Sequence, residues 1–194
     1  MPLLASFKAL LFLAFALTPL TSQAAAYPLE AEYEVPAAKE VGTTAGQLRI
    51  RGMAGGGLIA SIRERSTASV ALEGVIEKMF APWIGLRASG FISVPFDGQL
   101  QLISARLGPS VHFLPYRAVD VGLFFDGGFA TLDLFTDIRT AMAMLGSGTT
   151  LDVYVTSSVA IHFEGLLQGG IASRNGDARV ILMPSLLTGL GFVF

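Results

Sequence analysis

The sequence contains no cysteine and has few charged residues. The absence of cysteine excludes disulfide frameworks, zinc sites with thiolate ligands and cysteine nucleophiles. Charged residues make up 14% of the 194 residues, whereas a typical soluble chain has about 25%. The formal net charge is −2 and no basic cluster is larger than Arg63-Glu64-Arg65. The sequence therefore offers no electrostatic basis for binding nucleic acid.

Beyond the N-terminal region, the sequence also lacks any apolar run long enough to cross a bilayer as a helix. Hydrophobic residues nevertheless make up 52% of the chain, and they are dispersed among 22 glycines and small polar residues. High hydrophobicity without long apolar runs is typical of a transmembrane β-barrel, because only every second residue of such a strand faces lipid.

The first 26 residues have the pattern of a secretory signal peptide. Lys8 precedes an apolar core, Ala9–Leu20, and small residues follow it up to a predicted cleavage site just before Tyr27. The alternative is an uncleaved membrane anchor, for which an apolar core of about 12 residues is short.

The mature chain is predicted to begin with a periplasmic tail. Residues 27–45 contain several glutamates and lack the alternation of the rest. They are predicted to form an N-terminal tail, part of which could pair with the barrel or plug it. Residues 46–194 are predicted to form the barrel itself.

Alternating apolar and polar residues predict an antiparallel up-and-down barrel of about eight strands. Tight turns are predicted at Ala81-Pro82, at Leu114–Arg117 and at Thr156–Ser158. Adding a glycine-rich first strand, about 47–60, and a last strand, about 179–194, gives eight. The sequence leaves this count uncertain by one hairpin.

An even number of strands places both termini on the periplasmic side of the outer membrane. The tight turns would then be periplasmic, and four aromatic residues near them are predicted to form a girdle at the lipid headgroups: Phe80, Trp83, Tyr116 and Tyr154. The external connections are predicted at Ile62–Thr67, Pro95–Gly98, Leu132–Ala141 and Ser173–Ala178. Only the third is long enough for recognition, through Phe135, Asp137 and Arg139.

The C-terminus, Thr188-Gly-Leu-Gly-Phe-Val-Phe194, ends in an aromatic residue, and its apolar side chains share one parity. It resembles the C-terminal signal that outer-membrane proteins present to the barrel-assembly machinery, with Thr188, Gly189, Phe192 and Phe194 at the matching positions. The alternative is a chance apolar strand end in a secreted β-protein. With the strand pattern, the chain resembles the small eight-stranded barrels of the OmpA/OmpX-like superfamily.

The parity that directs aliphatic residues to lipid directs most charges to the lumen. The predicted network comprises Arg51, Glu73, Arg87, Arg106, Asp126 and Glu164, with further inward positions at Arg49, Glu77, His112, Asp120, Asp152 and His162. An eight-stranded interior is only wide enough for side chains to fill it. Opposite charges there are expected to pair, because an unpaired buried charge is costly.

The function predicted from the sequence is a non-enzymatic structural or surface-interaction role, with the lumen plugged by charges. The alternatives are a small-solute channel and a lipid A-modifying enzyme, which would use His112 or His162. No cofactor, metal or nucleic acid is predicted. The predicted partners are outer-membrane lipid, lipopolysaccharide and the barrel-assembly machinery, and the predicted state is a monomer.

Overall fold

The computed structural model describes residues 42–61, 66–96, 100–115, 117–134, 138–174 and 177–194, all of which lie in one compact unit. The predicted signal peptide and residues 27–41 of the predicted tail lie outside the described residues. Among the described residues, no helix is long and apolar enough to cross a membrane.

Eight antiparallel strands pair in chain order and close into a barrel, which confirms the predicted fold class and strand number. The strands are β1 (Leu48–Ser61), β2 (Thr67–Ala81), β3 (Ile84–Pro95), β4 (Leu100–His112), β5 (Val119–Leu134), β6 (Ile138–Tyr154), β7 (Val159–Arg174) and β8 (Asp177–Val193). Because β1 pairs with β8, the barrel has no unpaired strand edge.

Side chains alternate between the lumen and the outer surface along the parts of the strands whose side chains the structure describes, as the sequence predicted. In β2 the burial alternates at every residue from Ala68 to Phe80, so that Leu72 and Ile76 are exposed while Glu73 and Glu77 are buried. The outer surface is consequently apolar. An apolar surface that covers the outside of the whole strand barrel is suited to contact with lipid rather than with water.

The two ends of the barrel differ in what they carry. One end, called here the terminal end, has Leu48, Phe194 and the connections at 82–83, 113–118 and 155–158. The other, called the distal end, has the connections at 62–66, 96–99, 135–137 and 175–176. Leu48 and Phe194 exchange two backbone hydrogen bonds, of 3.0 and 2.9 Å, which fix the two ends of the barrel domain beside each other.

The predicted long loop at Leu132–Ala141 was wrong. β5 continues to Leu134 and β6 begins at Ile138, and the backbone of Asp133 pairs with that of Arg139. Strand pairing therefore extends through most of the segment that was expected to be a loop. Residues 135–137, with the predicted contacts Phe135 and Asp137, lie outside the described residues.

The glycines of β1 allow close approach to the last strand. A Cβ atom on Gly55 would collide with the carbonyl oxygen of Leu186, and one on Gly57 would lie 2.8 Å from the carbonyl oxygen of Pro184. The pairing of β1 with β8 is interrupted beside Pro184, which has no N–H to donate. Glycine at these positions is thus required for the closure of the barrel.

Candidate functional site

Charged side chains fill the lumen from the terminal end to about its middle. Each is at most 3% exposed, and together they are Arg49, Arg51, Glu73, Glu77, Arg87, Arg106, His112, Asp120, Asp126, Asp152, His162 and Glu164. All six residues of the predicted network are among them. The barrel wall places them together because every one occupies an inward position of its strand.

The first layer of the network lies near the middle of the barrel and is centred on Arg87. Its guanidinium donates two hydrogen bonds to Glu164, Nη1 to Oε2 at 3.2 Å and Nη2 to Oε1 at 3.1 Å, and Nη2 also donates to Oε1 of Glu73 at 3.1 Å. Arg106 donates to the same Glu73 oxygen at 2.6 Å and to Asp126 Oδ1 at 3.1 Å. Two arginines and three carboxylates thus form one connected unit.

The second layer lies nearer the terminal end and contains the other two arginines. Arg51 Nη2 donates to Glu77 Oε2 at 2.7 Å and to Asp152 Oδ2 at 3.1 Å. Arg49 lies 3.4 Å from the same Asp152 oxygen and 3.5 Å from Asp120 Oδ2. These pairs join β1 to its neighbour β2 and, across the lumen, to β5 and β6.

His112 lies between two carboxylates of the second layer. Its Nδ1 is 2.7 Å from Asp120 Oδ2, and its Nε2 is 3.1 Å from Glu77 Oε1. Because the ring is buried and both nitrogens have a carboxylate partner, His112 is fixed in orientation by β2 and β5.

His162 connects the second layer to the first. Its Nδ1 is 2.5 Å from Asp152 Oδ1, and its Nε2 is 3.3 Å from Glu164 Oε2. Since Asp152 is held by Arg51 and Glu164 by Arg87, this ring completes a continuous chain of polar contacts between the layers.

The end of the predicted tail enters the barrel at the terminal end. Thr43 is fully buried, its N–H donates to the carbonyl oxygen of Pro115, and its hydroxyl donates to Asp120 Oδ2 at 2.9 Å. Arg49 Nη2 donates to the hydroxyls of Thr43 and Tyr154. Residues 42–47 therefore cover the charged network at the terminal end of the barrel. The sequence had left open whether part of the tail would pair with the barrel or plug it.

Tyr154 is a correction to the predicted aromatic girdle. It is 8% exposed and faces the lumen, because it shares the inward parity of Asp152. Phe80 and Trp83, by contrast, are 64% and 56% exposed at the terminal end, as a girdle requires. Tyr116 lies outside the described residues.

Apolar side chains predominate in the distal half of the lumen, a feature that the sequence analysis missed, and Ser69, Ser93, Ser104 and Gln168 are buried among them. Its buried side chains include Met53, Ile59, Ala71, Phe91, Leu102, Ala130, Met142, Met144, Ala172, Ile181 and Met183. Several of them are methionines at inward positions. The strand parity that identified the inward charged residues could also have identified these methionines. Flexible methionine side chains fill irregular space well, so they suit the interior of this half of the barrel.

The second layer brings together three potential metal ligands. Atoms of His112, Asp120 and Asp152 lie within 4.8 Å of one another. The guanidinium of Arg49 lies among them, 3.4 Å from His112 Nδ1 and at similar distances from both carboxylates. A positive charge already occupies the position that a cation would take, so the geometry does not support a metal site.

The arrangement of Ser110 and His112 does not form a catalytic pair. The Ser110 hydroxyl donates to Glu77 Oε1, and His112 Nε2 contacts the same oxygen. Both hydroxyl and imidazole are thus directed at a carboxylate, and the histidine is not placed to accept the serine proton as nucleophilic catalysis requires.

The four residues of the predicted assembly signal belong to β8 and its end. Phe192 and Phe194 are 45% and 72% exposed on the outer surface, Thr188 is also exposed, and Gly189 faces inward. The apolar stripe therefore faces lipid beside the closing strand pair. Recognition of these residues by assembly machinery remains a prediction.

Comparison with solved structures gives the same architecture. Neisserial surface protein A matches with a TM-score of 0.61 at 14% identity, covering 77% of this chain and 99% of that one. Ail, the attachment invasion locus protein of Yersinia pestis, matches with a TM-score of 0.50 at 13% identity, covering 78% and 100%. This chain has the fold of the eight-stranded outer-membrane barrels. No family model and no curated protein matches the sequence.

Proposed function

We propose that the protein is an integral outer-membrane barrel with a structural or surface-interaction role and a closed lumen. The observation that carries this proposal is the contact between Arg87 on β3 and Glu164 on β7. These strands are opposite each other in a ring of eight, so the ion pair spans the lumen. A small solute would have to break it to pass.

Two further features support closure. Arg49 on β1 and Asp120 on β5 form a second contact between opposite strands, nearer the terminal end, and Thr43 lies against both. Buried apolar side chains, among them Met142, Met144 and Met183, occupy the distal half. A solute path would therefore require rearrangement at several levels, which disfavours the channel alternative.

The orientation proposed is that the terminal end faces the periplasm. The N-terminal tail leaves from this end, and Phe80 and Trp83 are exposed around it at the level expected for headgroups. In this orientation the apolar outer surface contacts membrane lipid, and the distal rim contacts lipopolysaccharide. Since one chain closes all its own strand edges, a monomer is sufficient.

Between the two roles, the structure favours the structural one. The distal connections are short, and the segment expected to carry recognition is mostly strand. A surface-interaction role is supported by the names of the two solved structures, one a surface protein and the other an attachment invasion locus protein. In a surface-interaction role, the partner would have to be bound by the outer surface of the barrel or by its short distal turns.

The test begins with heat-modifiability. Protein refolded in detergent should migrate differently on a gel before and after boiling, and cell fractionation should place it in the outer membrane. The same refolded sample is then inserted into a planar bilayer. We expect no conductance steps from the wild type, and steps from a variant that removes the cross-lumen pair, Arg87→Ser with Glu164→Ser.

Each alternative has its own positive result. Conductance steps in the wild type that change when Arg87 or Glu73 is substituted would replace the closed barrel by a channel. A change in lipid A acylation that depends on the protein and disappears in His112→Ala or His162→Ala would establish the enzyme instead. A protein that shows no mobility shift and stays in the periplasm would contradict the membrane barrel altogether.

A further inference from the structure

Nearly all charged side chains that the structure describes lie in the lumen. The exceptions are two exposed cations at the terminal end, Lys78 on β2 and Arg117 in the turn between β4 and β5. Lys78 occupies an outward position of its strand, whereas Arg117 lies beyond the strands. Among the described side chains, Lys78 is therefore the single charge on the lipid-facing wall of the barrel.

The ammonium group of Lys78 is directed towards the terminal end. Its neighbours on the same face, Ile76 and Phe80 on β2 and Leu86 on β3, are apolar and exposed. Its Nζ donates to the carbonyl oxygen of Gly46 at 2.5 Å, and Gly46 belongs to the segment that covers the terminal end. The aliphatic stem thus lies along the apolar wall while the charge reaches the level of the lipid headgroups, as is typical of lysine at a membrane interface.

No acidic group in the described part of the chain neutralises Lys78. The six buried carboxylates face the lumen, and no carboxylate of a described residue forms an ion pair with this ammonium group. An ammonium group carries three N–H donors and no acceptor, and one of these donors binds Gly46. The others are left for an anion that comes from the membrane.

Trp83 adds a second donor in the same hairpin. It lies exposed in the turn between β2 and β3, and its indole N–H binds no described residue. A tryptophan at headgroup depth packs its ring against acyl chains and donates from its N–H to a polar headgroup. Because Lys78 and Trp83 can donate but cannot accept, together they suit a phosphate group.

A groove lies in the lipid-facing wall on the distal side of Lys78. Its floor includes Gly52 and Gly74, which pair across β1 and β2, and Leu72 and Leu190 line it. Its volume is about 800 Å³, and a Cβ atom on either glycine would meet nothing within 4 Å. Gly74 lies about 13 Å from Lys78 along the same face of β2, at about 3.3 Å per residue. The groove is thus within reach of the acyl chain of a lipid whose phosphate is at Lys78.

We propose that this wall binds one anionic phospholipid, with its phosphate at Lys78 and Trp83 and an acyl chain in the groove at Gly52 and Gly74. The positive charge selects an anionic headgroup over a zwitterionic one, because a zwitterionic headgroup would bring a second cation beside Lys78. The inference rests on the proposed function only in that the outer surface contacts membrane lipid, and it does not require a closed lumen. In the proposed orientation this lipid belongs to the periplasmic leaflet.

The first experiment uses Trp83, which is the only tryptophan of the chain. Protein is refolded into phosphatidylcholine bilayers that contain a small fraction of brominated lipid, which quenches tryptophan fluorescence on contact. The brominated lipid carries either a phosphatidylglycerol or a phosphatidylcholine headgroup on identical chains. We expect the affinity for phosphatidylglycerol to be about fivefold higher, since one cation near an anionic surface contributes about 1 kcal/mol.

Three variants locate the preference. Lys78→Gln should bring the ratio of the two affinities close to one, and Lys78→Arg should keep it. Arg117→Gln is the matched control, because Arg117 is also an exposed cation at the terminal end but lies in a turn, and it should leave the ratio near the wild-type value. Equal quenching by the two lipids in the wild type would overturn the proposal. Equal losses in Lys78→Gln and Arg117→Gln would also overturn it, since they would show a general attraction to positive charge.

The second experiment moves the single tryptophan to the groove. Trp83→Phe with Leu72→Trp places it beside Gly74, where the preference for phosphatidylglycerol should persist and should disappear when Lys78→Gln is added. Trp83→Phe with Phe125→Trp is the control, because Phe125 is exposed on β5, opposite β1, and should show no preference. A groove reporter without preference, or one that Lys78→Gln does not change, would overturn the placement of the acyl chain.

Failure of the proposed function gives a different result. If neither brominated lipid quenches Trp83 and the protein shows no gel mobility shift, the membrane barrel itself is contradicted. A normal mobility shift with equal quenching by the two lipids contradicts the lipid site alone.

Discussion

Arg87 and Glu164 form a bidentate ion pair across the barrel, although 77 residues separate them in the chain. Both side chains are almost fully buried, with 1% and 2% exposure. Their strands have three others between them on either side. The ion pair therefore connects opposite walls of the barrel. It contributes to the stability of the fold only while both charges are present.

Replacement of Arg87 by methionine should be strongly destabilising. It leaves Glu164 without its guanidinium partner in a buried site and leaves Glu73 with Arg106 alone. Loss of one partner of a buried ion pair typically costs about 3 to 5 kcal/mol. Arg117→Met is the matched control, because Arg117 is exposed in the turn at the terminal end and such a change is usually within about 0.5 kcal/mol. The measurement is the free energy of unfolding in urea, in a fixed lipid. Equal losses of this free energy in the two variants would show that the Arg87–Glu164 ion pair does not stabilise the barrel.

Strand parity predicted which side chains face the lumen and which face outward. It could not predict which charged side chains form ion pairs with each other. The inward position of Glu164 follows from its spacing to His162, whereas its contact with Arg87 depends on barrel closure and register. Tyr154 was misplaced because its nearness to a turn was given more weight than its parity.

The segment Leu132–Ala141 was misplaced because charged residues interrupt its alternation. The register nevertheless pairs the backbone of Asp133 with that of Arg139. The strands therefore continue through charged residues whose pattern had predicted a loop. The burial of Thr43 could not be inferred, since it depends on the path of six residues under the barrel.

Gly108 should not tolerate alanine, because β5 passes close to it. A Cβ atom there would collide with the carbonyl oxygen of Phe125 and the backbone of Asp126. Gly90 is the matched control, since a Cβ atom on it would meet nothing within 4 Å. We expect Gly108→Ala to lower the refolded fraction in the gel mobility assay, and Gly90→Ala to behave as the wild type. A normal yield for Gly108→Ala would show that the β4–β5 contact can separate without loss of the fold.

Thr43→Val should weaken the barrel by removing hydrogen bonds at the terminal end. The valine has nearly the same shape but cannot donate to Asp120 or accept from Arg49, which should cost about 1 to 3 kcal/mol. The neighbouring Thr44 is exposed, so Thr44→Val should change the urea midpoint little. If both variants unfold at the wild-type midpoint, residues 42–47 do not contribute to closing the lumen.

Phe194→Ala should impair assembly in cells more than it impairs folding in detergent. The ring is 72% exposed on the outer surface, so its removal takes away no core packing, and the backbone bonds between Leu48 and Phe194 can still form. Phe96→Ala is the control, because Phe96 is 75% exposed at the distal end and outside the proposed signal. We expect the outer-membrane level of Phe194→Ala to fall several-fold while its refolded fraction in detergent is unchanged. Equal losses in cells for both variants would mean that exposed aromatic residues in general, rather than a C-terminal signal, determine assembly.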